Sequence, residues 1–412
     1  MEGGPVEGGR IAWMTLALLS VAVLLAMSPW FTASAAGDLF RVRLGLSTSE
    51  LAWLTGAVQV GFVGGTLVAA VLNLADIVPA RRYFAVSAIL AAASNAFLLL
   101  PSDYLPLLVG RFLTGFFLAG VYPPAMKMAA TWFRTARGMA IGTVVGALTV
   151  GKAAPFLLRA GGQGEGLLVI LGSSLAGVVA GGFILFLYRD GPFPFPRRPF
   201  RWDLVGQVLR HRPTRLATWG YLGHMWELYA VWAAISLYFF DVLTGGGVIP
   251  AEAGASAALL AFLVIAVGGP GAVAAGVAAD RWGRERVASL AMAVSGSCCL
   301  LAGWLVGAPP ALVLVVGLIW GFSVVADSAQ FSALVTEVAP PHAVGTALTL
   351  QTALGFALTA VSIWLVHWSY ESWGWGLSWL LLAPGPALGI VAMVRLRRLR
   401  AAEEPGPDPG SA

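Results

Sequence analysis

The chain has 412 residues, of which 58% are hydrophobic and only 11% are charged, and its formal net charge is +5. Soluble globular proteins usually carry about a quarter of charged residues, so this composition excludes a soluble enzyme, a secreted disulfide scaffold and a disordered protein. Apolar runs of about 20 residues match the thickness of the bilayer hydrocarbon and recur along almost the whole chain. The sequence therefore predicts an all-α, multi-pass protein of the cell (inner or plasma) membrane.

Twelve apolar segments, bounded by turn signals and charges, are predicted transmembrane helices. In chain order they cover residues 11–36, 50–73, 82–100, 104–130, 138–160, 167–188, 214–242, 253–279, 286–307, 309–335, 344–367 and 374–394. These form two bundles of six spans over residues 1–188 and 214–395, with a central loop over 189–213 and a C-terminal tail over 396–412. Residues 33–35 (Ala-Ser-Ala) resemble a signal-peptide cleavage site, but the length of the first apolar run and eleven further spans favour a retained first span.

The distribution of lysine and arginine predicts the orientation, because cytoplasmic loops are enriched in these residues. With the N-terminus inside, 19 of the 25 lysines and arginines lie in cytoplasmic segments. Three lie in the opposite loops (Arg41, Arg43 and Arg159) and three within spans (Arg111, Lys127 and Lys152). Both termini are therefore predicted to be cytoplasmic, and the basic excess needs no nucleic-acid partner.

The two halves contain a repeated turn. Residues 72–82 follow the second span and read LNLADIVPARR, and residues 276–286 follow the eighth and read GVAADRWGRER. Their aspartates, Asp76 and Asp280, are 204 residues apart and occupy the same place in each half. Many transporter folds are built from such internal repeats.

Residues 276–286 resemble the loop signature of the major facilitator superfamily, and Arg111-Phe112-Leu113-Thr114-Gly115 resembles its intramembrane arginine motif. The resemblance implies a secondary transporter with two six-helix bundles, which binds its substrate near the membrane midplane and works by alternating access. It also implies a conformational latch at Asp280, Arg281, Gly283, Arg284 and Asp76. The first-half loop lacks the usual glycines, so the second-half copy is expected to be the main latch.

Ionisable residues within spans are costly in hydrocarbon and are therefore candidates for function. Cations lie in the first half and carboxylates in the second; the set is Arg111, Lys127, Lys152, Glu227 and Asp327. Arg111 and Lys152 predict a small organic anion as substrate. Polar contacts to that substrate are expected from Tyr221, Gln330 and Gln351, although each of these also suits helix packing.

His224 and Glu227 are three residues apart in the seventh span, on one face of a helix. Burial disfavours the charged form of a carboxyl group and a neighbouring histidine favours it, so such a pair can load and release a proton near neutral pH. Glu227 is therefore predicted to couple transport to protons, with His224 tuning it and Asp327 as a further coupling group. The alternative is a hydrogen-bonded pair that locks the seventh span to a neighbour.

The chain contains no phosphate-binding loop of the Walker type, so an ion gradient is the expected energy source and no cofactor is expected. Cys298 and Cys299 are adjacent, which does not match metal-ligand spacing. We expect a monomer that is not an enzyme and whose partners are a small-molecule substrate, a coupling proton and the lipid bilayer. The alternatives are a proton-coupled exporter of amphipathic drugs, suggested by 16 Trp and 21 Phe, and a non-transporting sensor or scaffold.

Overall fold

A computed structural model describes residues 9–133, 137–161, 166–193 and 200–403, and within these ranges it contains helices and no strand. Twelve helices are long and apolar enough to cross a membrane. In the first half they are α1 (Arg10–Met27), α2 (Thr48–Val71), α3 (Ala80–Leu99), α4 (Tyr104–Ala130), α5 (Met139–Gly161) and α6 (Gly166–Leu187). In the second half they are α7 (Arg212–Gly245), α8 (Glu252–Trp282), α9 (Arg284–Leu305), α10 (Pro310–Val338), α11 (Pro341–Trp373) and α12 (Trp375–Ala402). The predicted all-α fold with twelve spans is confirmed.

The largest differences from the predicted boundaries lie at the two ends of the chain. The first predicted span runs to residue 36, but α1 ends at Met27, and two short helices, Thr32–Ala35 and Gly37–Leu44, follow a bend. The last predicted span stops at residue 394, whereas its helix continues to Glu403 through an arginine-rich segment. Arginine is a good helix former, so the helix outlasts its apolar part. Hydropathy locates the segment that is buried in hydrocarbon, and it does not locate the helix end.

The twelve helices divide into two halves, α1–α6 and α7–α12, and two helix pairs form the most extensive contacts between them. One contact joins α2 to α11 and the other joins α5 to α8. At the second contact Gly146 faces Gly269: a Cβ atom on Gly146 would lie 3.3 Å from the Gly269 carbonyl oxygen, and one on Gly269 would lie 3.2 Å from that of Gly146. The missing side chains let the two helices approach closely.

The fourth helix of each half is broken at its middle. In α4 the helix stops at Leu118 and restarts at Tyr122, where Pro123 and Pro124 have no backbone N–H to offer the preceding turn. In α10 the break is at Asp327, between the segments Pro310–Ala326 and Ser328–Val338. Each fourth helix therefore consists of two segments with a joint between them.

The described part of the segment between the halves contains one turn of 3₁₀ helix, Trp202–Leu204, and a short α-helix, Val205–Arg210. The backbone N–H of Arg201 donates to Thr346 Oγ1 at 2.9 Å, which fastens this segment to the start of α11. Below, the side of the molecule that carries this segment is called the linker end, and the other side is called the opposite end.

Candidate functional site

Six aromatic side chains meet between the two halves, and we call this set the aromatic seam. Trp30, Phe31 and Phe62 belong to the first half and Tyr229, Trp232 and Phe356 to the second; all six are buried. Ring pairs cross from one half to the other at these centroid distances: Trp30–Tyr229 5.7 Å, Trp30–Phe356 5.7 Å, Phe62–Phe356 4.4 Å, Phe31–Tyr229 6.2 Å and Phe31–Trp232 6.1 Å. The seam is therefore part of the contact between the halves.

Local chain geometry explains why these rings face each other. Trp30 and Phe31 lie at the bend after α1, where the helix is interrupted, and the following short helix begins at Thr32. Tyr229 and Trp232 are three residues apart on α7 and so share a helix face. The bend and the shared face together bring the first-half rings against the second-half rings.

The ammonium group of Lys152 on α5 lies inside the aromatic seam. Its Nζ lies 3.9 Å from the ring centroid of Trp30 and 4.6 Å from that of Tyr229, and it donates to the Tyr229 hydroxyl. Lys152 is only 2% exposed. Among the described residues, no carboxylate oxygen lies within 4 Å of it. Ring faces and a hydroxyl stabilise this cation, and no carboxylate of the described residues balances its charge.

Arg111 is also fully buried, but its donors are used by the protein. Nη1 donates to the Pro29 carbonyl at 2.9 Å and to Asn95 Oδ1 at 3.1 Å, Nη2 donates to the Trp30 carbonyl, and Nε donates to the Leu54 carbonyl at 3.3 Å. Carbonyls at the bend after α1 have lost their helical partners, and the guanidinium replaces them. Arg111 was predicted to contact substrate; in the structure it positions the bend that carries Trp30.

His224 of α7 pairs with Asp327 at the break in α10. Nδ1 lies 2.8 Å from Asp327 Oδ1, Nε2 lies 2.9 Å from the Ser328 hydroxyl, and both partners of the ion pair are 2% exposed. The structure thus gives His224 a different carboxylate partner from the predicted Glu227. Residues three apart on a helix differ by about 60° in direction, and this difference sends the two side chains to different neighbours.

Glu227 points into the interior of the second half. Its carboxylate accepts from Trp320 Nε1 at 2.6 Å, from the Ser295 hydroxyl at 2.9 Å and from the Cys299 thiol at 3.3 Å. These donors lie on α9 and α10. Glu227 and Tyr229 are two residues apart on α7, which places them about 160° apart around the helix axis. Glu227 therefore faces away from the aromatic seam.

The three predicted polar substrate contacts lie on the linker side of the seam. The Tyr221 ring lies 6.1 Å from the rings of both His224 and Phe331, and Gln351 Nε2 is 3.5 Å from the Phe331 carbonyl. Gln330 Oε1 accepts from Arg284 Nη1 at 3.0 Å. Tyr221 thus borders the His224 and Asp327 pair, and Gln330 belongs to a charged network at the linker end.

A cavity of about 260 Å³ lies between the halves at the opposite end. Its lining includes Arg159 and Asp38, which form an ion pair, and Ala233, one turn beyond Tyr229 on α7. Arg159 was assigned to a loop from the sequence, but it lies within α5, seven residues beyond Lys152. Seven residues correspond to two helical turns and about 10 Å, so both cations share one face of α5. The cavity therefore leads towards the aromatic seam.

The family model of the Major Facilitator Superfamily matches residues 14–269, which is more than half of the chain. The chain belongs to this superfamily. It is accordingly a secondary transporter and a multi-pass membrane protein, as the loop signature implied.

Solved structures of superfamily transporters agree with this fold. The nucleoside transporter NupG superposes with a TM-score of 0.70 at 12% identity, covering 94% of this chain and 99% of that one. A bacterial homologue of the human lysosomal transporter Spinster, in an inward-facing and unoccupied conformation, superposes with a TM-score of 0.69 at 14% identity. That match covers 97% of this chain and 100% of the homologue. No curated protein matches the chain in sequence. At these identities the likeness is one of fold.

The superfamily loop between α8 and α9 requires glycine at Gly283, whose φ is 86° and whose ψ is 144°. The neighbouring Arg284 donates from Nε to Glu337 Oε1 at 2.6 Å, and its Nη2 is 4.0 Å from Asp280 Oδ1. Arg400 Nη1 of α12 donates to Oε2 of the same Glu337 at 3.3 Å and to Glu285 Oε1 at 2.7 Å. This network ties α9, α10 and α12 together at the linker end.

The other predicted latch residues are Asp280, Arg281 and Asp76, of which the first two are more exposed than Arg284. Asp280 is 71% exposed at its side chain, and Arg281 is also exposed. The side chain of Asp76 lies outside the described residues. Arg284, next to Gly283, is thus part of a network within the second half, and the latch role of all these residues stays a prediction.

Sequence reasoning missed most of the aromatic seam and the network at Glu337 and Arg400. Part of the seam had a signal: Pro29 before Trp30 predicts a bend, and the spacing of Tyr229 and Trp232 predicts a shared aromatic face. No sequence pattern predicts the ion pair of Asp38 with Arg159, because 121 residues separate its members.

Proposed function

We propose that this transporter carries a small organic anion by alternating access and that Lys152 is the group that binds the anion's negative charge. The observation that supports this proposal is the buried ammonium in the aromatic seam, for which no described carboxylate serves as counter-ion. The seam lies between the halves and beneath the cavity at the opposite end. Superfamily transporters bind substrate between their repeats, near the midplane.

The position of Lys152 also argues against export of lipophilic cations. Aromatic rings attract cations through their negatively charged faces, which by itself would suit an amphipathic drug. Here the ammonium of Lys152 already lies over the faces of Trp30 and Tyr229. A second cation in the same place would be repelled, whereas an anion would be attracted.

We place the coupling proton on the pair of His224 and Asp327. The pair is buried, connects α7 to α10 and lies beside the joint at which α10 can bend. Binding of one proton changes its net charge from −1 to 0. Because loss of this negative charge from the interior of the second half favours an incoming anion, the proton and the anion are expected to move in the same direction.

The test of the proposal is anion binding to purified protein. Small carboxylates should raise the unfolding temperature of the wild type, and lipophilic cations should not. Lys152→Gln should weaken carboxylate binding about 10- to 100-fold, the range for a lost hydrogen bond to a charged group. Lys127→Gln, at another span lysine, is the matched control and should leave binding unchanged. Stabilisation by lipophilic cations alone would refute the proposal.

A further inference from the structure

The aromatic seam has two walls, one on each half of the transporter. Trp30, Phe31 and Phe62 form the first wall, and Tyr229, Trp232 and Phe356 form the second. Ring contacts between the walls have centroid distances from 4.4 to 6.2 Å. Alternating access separates the halves, so a ligand that reaches Lys152 must lie where these rings now meet each other.

When the halves separate, the ring contacts between the two walls are lost. A ligand that lies between the walls is favoured if it replaces these contacts. A flat aromatic group offers a π-face to each wall and re-forms stacked or edge-to-face contacts with both. A saturated ring of the same size fills the space but has no π-face. The walls therefore favour an aromatic body over an aliphatic one.

The charge within the seam limits the ligand to one carboxylate. In the described part of the chain, Lys152 is the cation that lies over the seam rings, with Nζ 5.9 Å from the ring centroids of Trp232 and Phe356 as well. A second carboxylate on the ligand would be buried among aromatic rings without a partner, which is strongly unfavourable. A monoanion leaves no uncompensated charge.

We infer that the substrate is a flat aromatic monocarboxylate, whose ring lies between the two walls of the seam and whose carboxylate pairs with Lys152. This inference rests on the proposed function, since it refines the class of anion that Lys152 binds. It also assigns Phe62 and Phe356 a role in substrate selection, one from each half.

The inference is tested by comparing three acids on the full-length protein in lipid nanodiscs by calorimetry. Benzoate should bind about tenfold more tightly than cyclohexanecarboxylate, because its ring forms a contact with each wall. Phthalate, with two carboxylates, should bind more weakly than benzoate. Equal binding of benzoate and cyclohexanecarboxylate would overturn the aromatic inference and leave the anion proposal standing. If none of the acids binds, both fail.

Variants of the seam separate stacking from simple packing. Phe356→Leu keeps an apolar side chain and removes the π-face, so it should weaken benzoate binding several-fold and leave cyclohexanecarboxylate binding unchanged. Phe239→Leu is the control, because Phe239 is a buried ring of α7 that packs within the second half against Gly317. Phe62→Leu repeats the test on the opposite wall if Phe356→Leu does not fold. An equal loss of affinity for both acids in these variants would show that the rings only fill space, against the inference.

Discussion

Two side chains of the same charge have different surroundings in the first half. Arg111 and Lys152 are both buried cations of the first half. The guanidinium of Arg111 donates to Pro29, Asn95 and other acceptors of its own half. The ammonium of Lys152 has a hydroxyl and ring faces around it. The difference lies in the acceptors that surround each group, and it is the reason why we propose Lys152, and not Arg111, as the group that binds the anion.

At the same scale, the proton-coupling assignment makes a prediction about two carboxylates. Asp327→Asn should abolish the response of uptake to an imposed pH gradient in proteoliposomes, because the pair with His224 loses its negative member. Exchange of substrate across the membrane without a gradient should persist. Glu227→Gln, in contrast, should leave the response to the gradient in place, since Glu227 accepts from Trp320 and Ser295 and, among the described residues, forms no ion pair.

Measurements on the same two variants can also contradict the assignment of the coupling proton to His224 and Asp327. Loss of pH-driven uptake in Glu227→Gln, with Asp327→Asn unaffected, would return the coupling role to Glu227. Unfolding temperatures of both variants should be measured in parallel, so that loss of the fold is not mistaken for loss of coupling.

The sequence identified which residues were chemically important better than it identified their partners. Lys152, Glu227, His224 and Asp327 stand out because charge within an apolar span is rare. Their partners depend on how each helix is rotated and on residues far away in the chain. Trp320, for example, lies 93 residues from the carboxylate that accepts its N–H. Local spacing on α7 suggested a bond between His224 and Glu227, and tertiary packing separates them.

At the scale of helices, the twelve spans follow from apolar length, and their bends follow from features that hydropathy does not measure. The break in α4 has a local cause in Pro123 and Pro124. The bend after α1 is stabilised by Arg111, which lies about 80 residues further along the chain. Prolines in the sequence mark both places, but the contact with Arg111 that holds the second bend has no local signal.

The close approach of α5 and α8 predicts the effect of a larger side chain at Gly146. Gly146→Leu should push the helices apart, because even a Cβ atom added at Gly146 would lie only 3.3 Å from the Gly269 carbonyl oxygen. Spin labels at Met139 and Val277, both exposed on the linker side, report the separation. Their mean distance should grow by about 2 Å, the range that side-chain size gives to helix packing distances.

A matched control for this variant lies one turn away. Gly142→Leu should leave the label distance unchanged, since a Cβ atom at Gly142 would meet no described atom of another helix within 4 Å. Labelling requires replacement of Cys298 and Cys299 by serine. An unchanged distance in Gly146→Leu would mean that the two halves do not depend on this contact for their spacing.

At the scale of the whole molecule, the distribution of lysine and arginine predicts that the linker end faces the cytoplasm. Ser102, in the turn between α3 and α4, and Asp190, in the segment after α6, are exposed on opposite sides. In intact cells, a membrane-impermeant maleimide should label Ser102→Cys and should reach Asp190→Cys only after the cells are permeabilised. Labelling of Asp190→Cys alone in intact cells would reverse the predicted orientation.

The joints in α4 and α10 occupy equivalent places in the two halves. Asp327 lies 207 residues after Gly120, close to the 204-residue offset of the repeated turns. One copy bends at a pair of prolines and the other at an aspartate that also holds His224. What the two halves share is therefore the place of the bend, and the residues at each bend differ. In the proposed mechanism, the bend of the second half is also the place where the coupling proton binds, so one joint would both move and sense the proton.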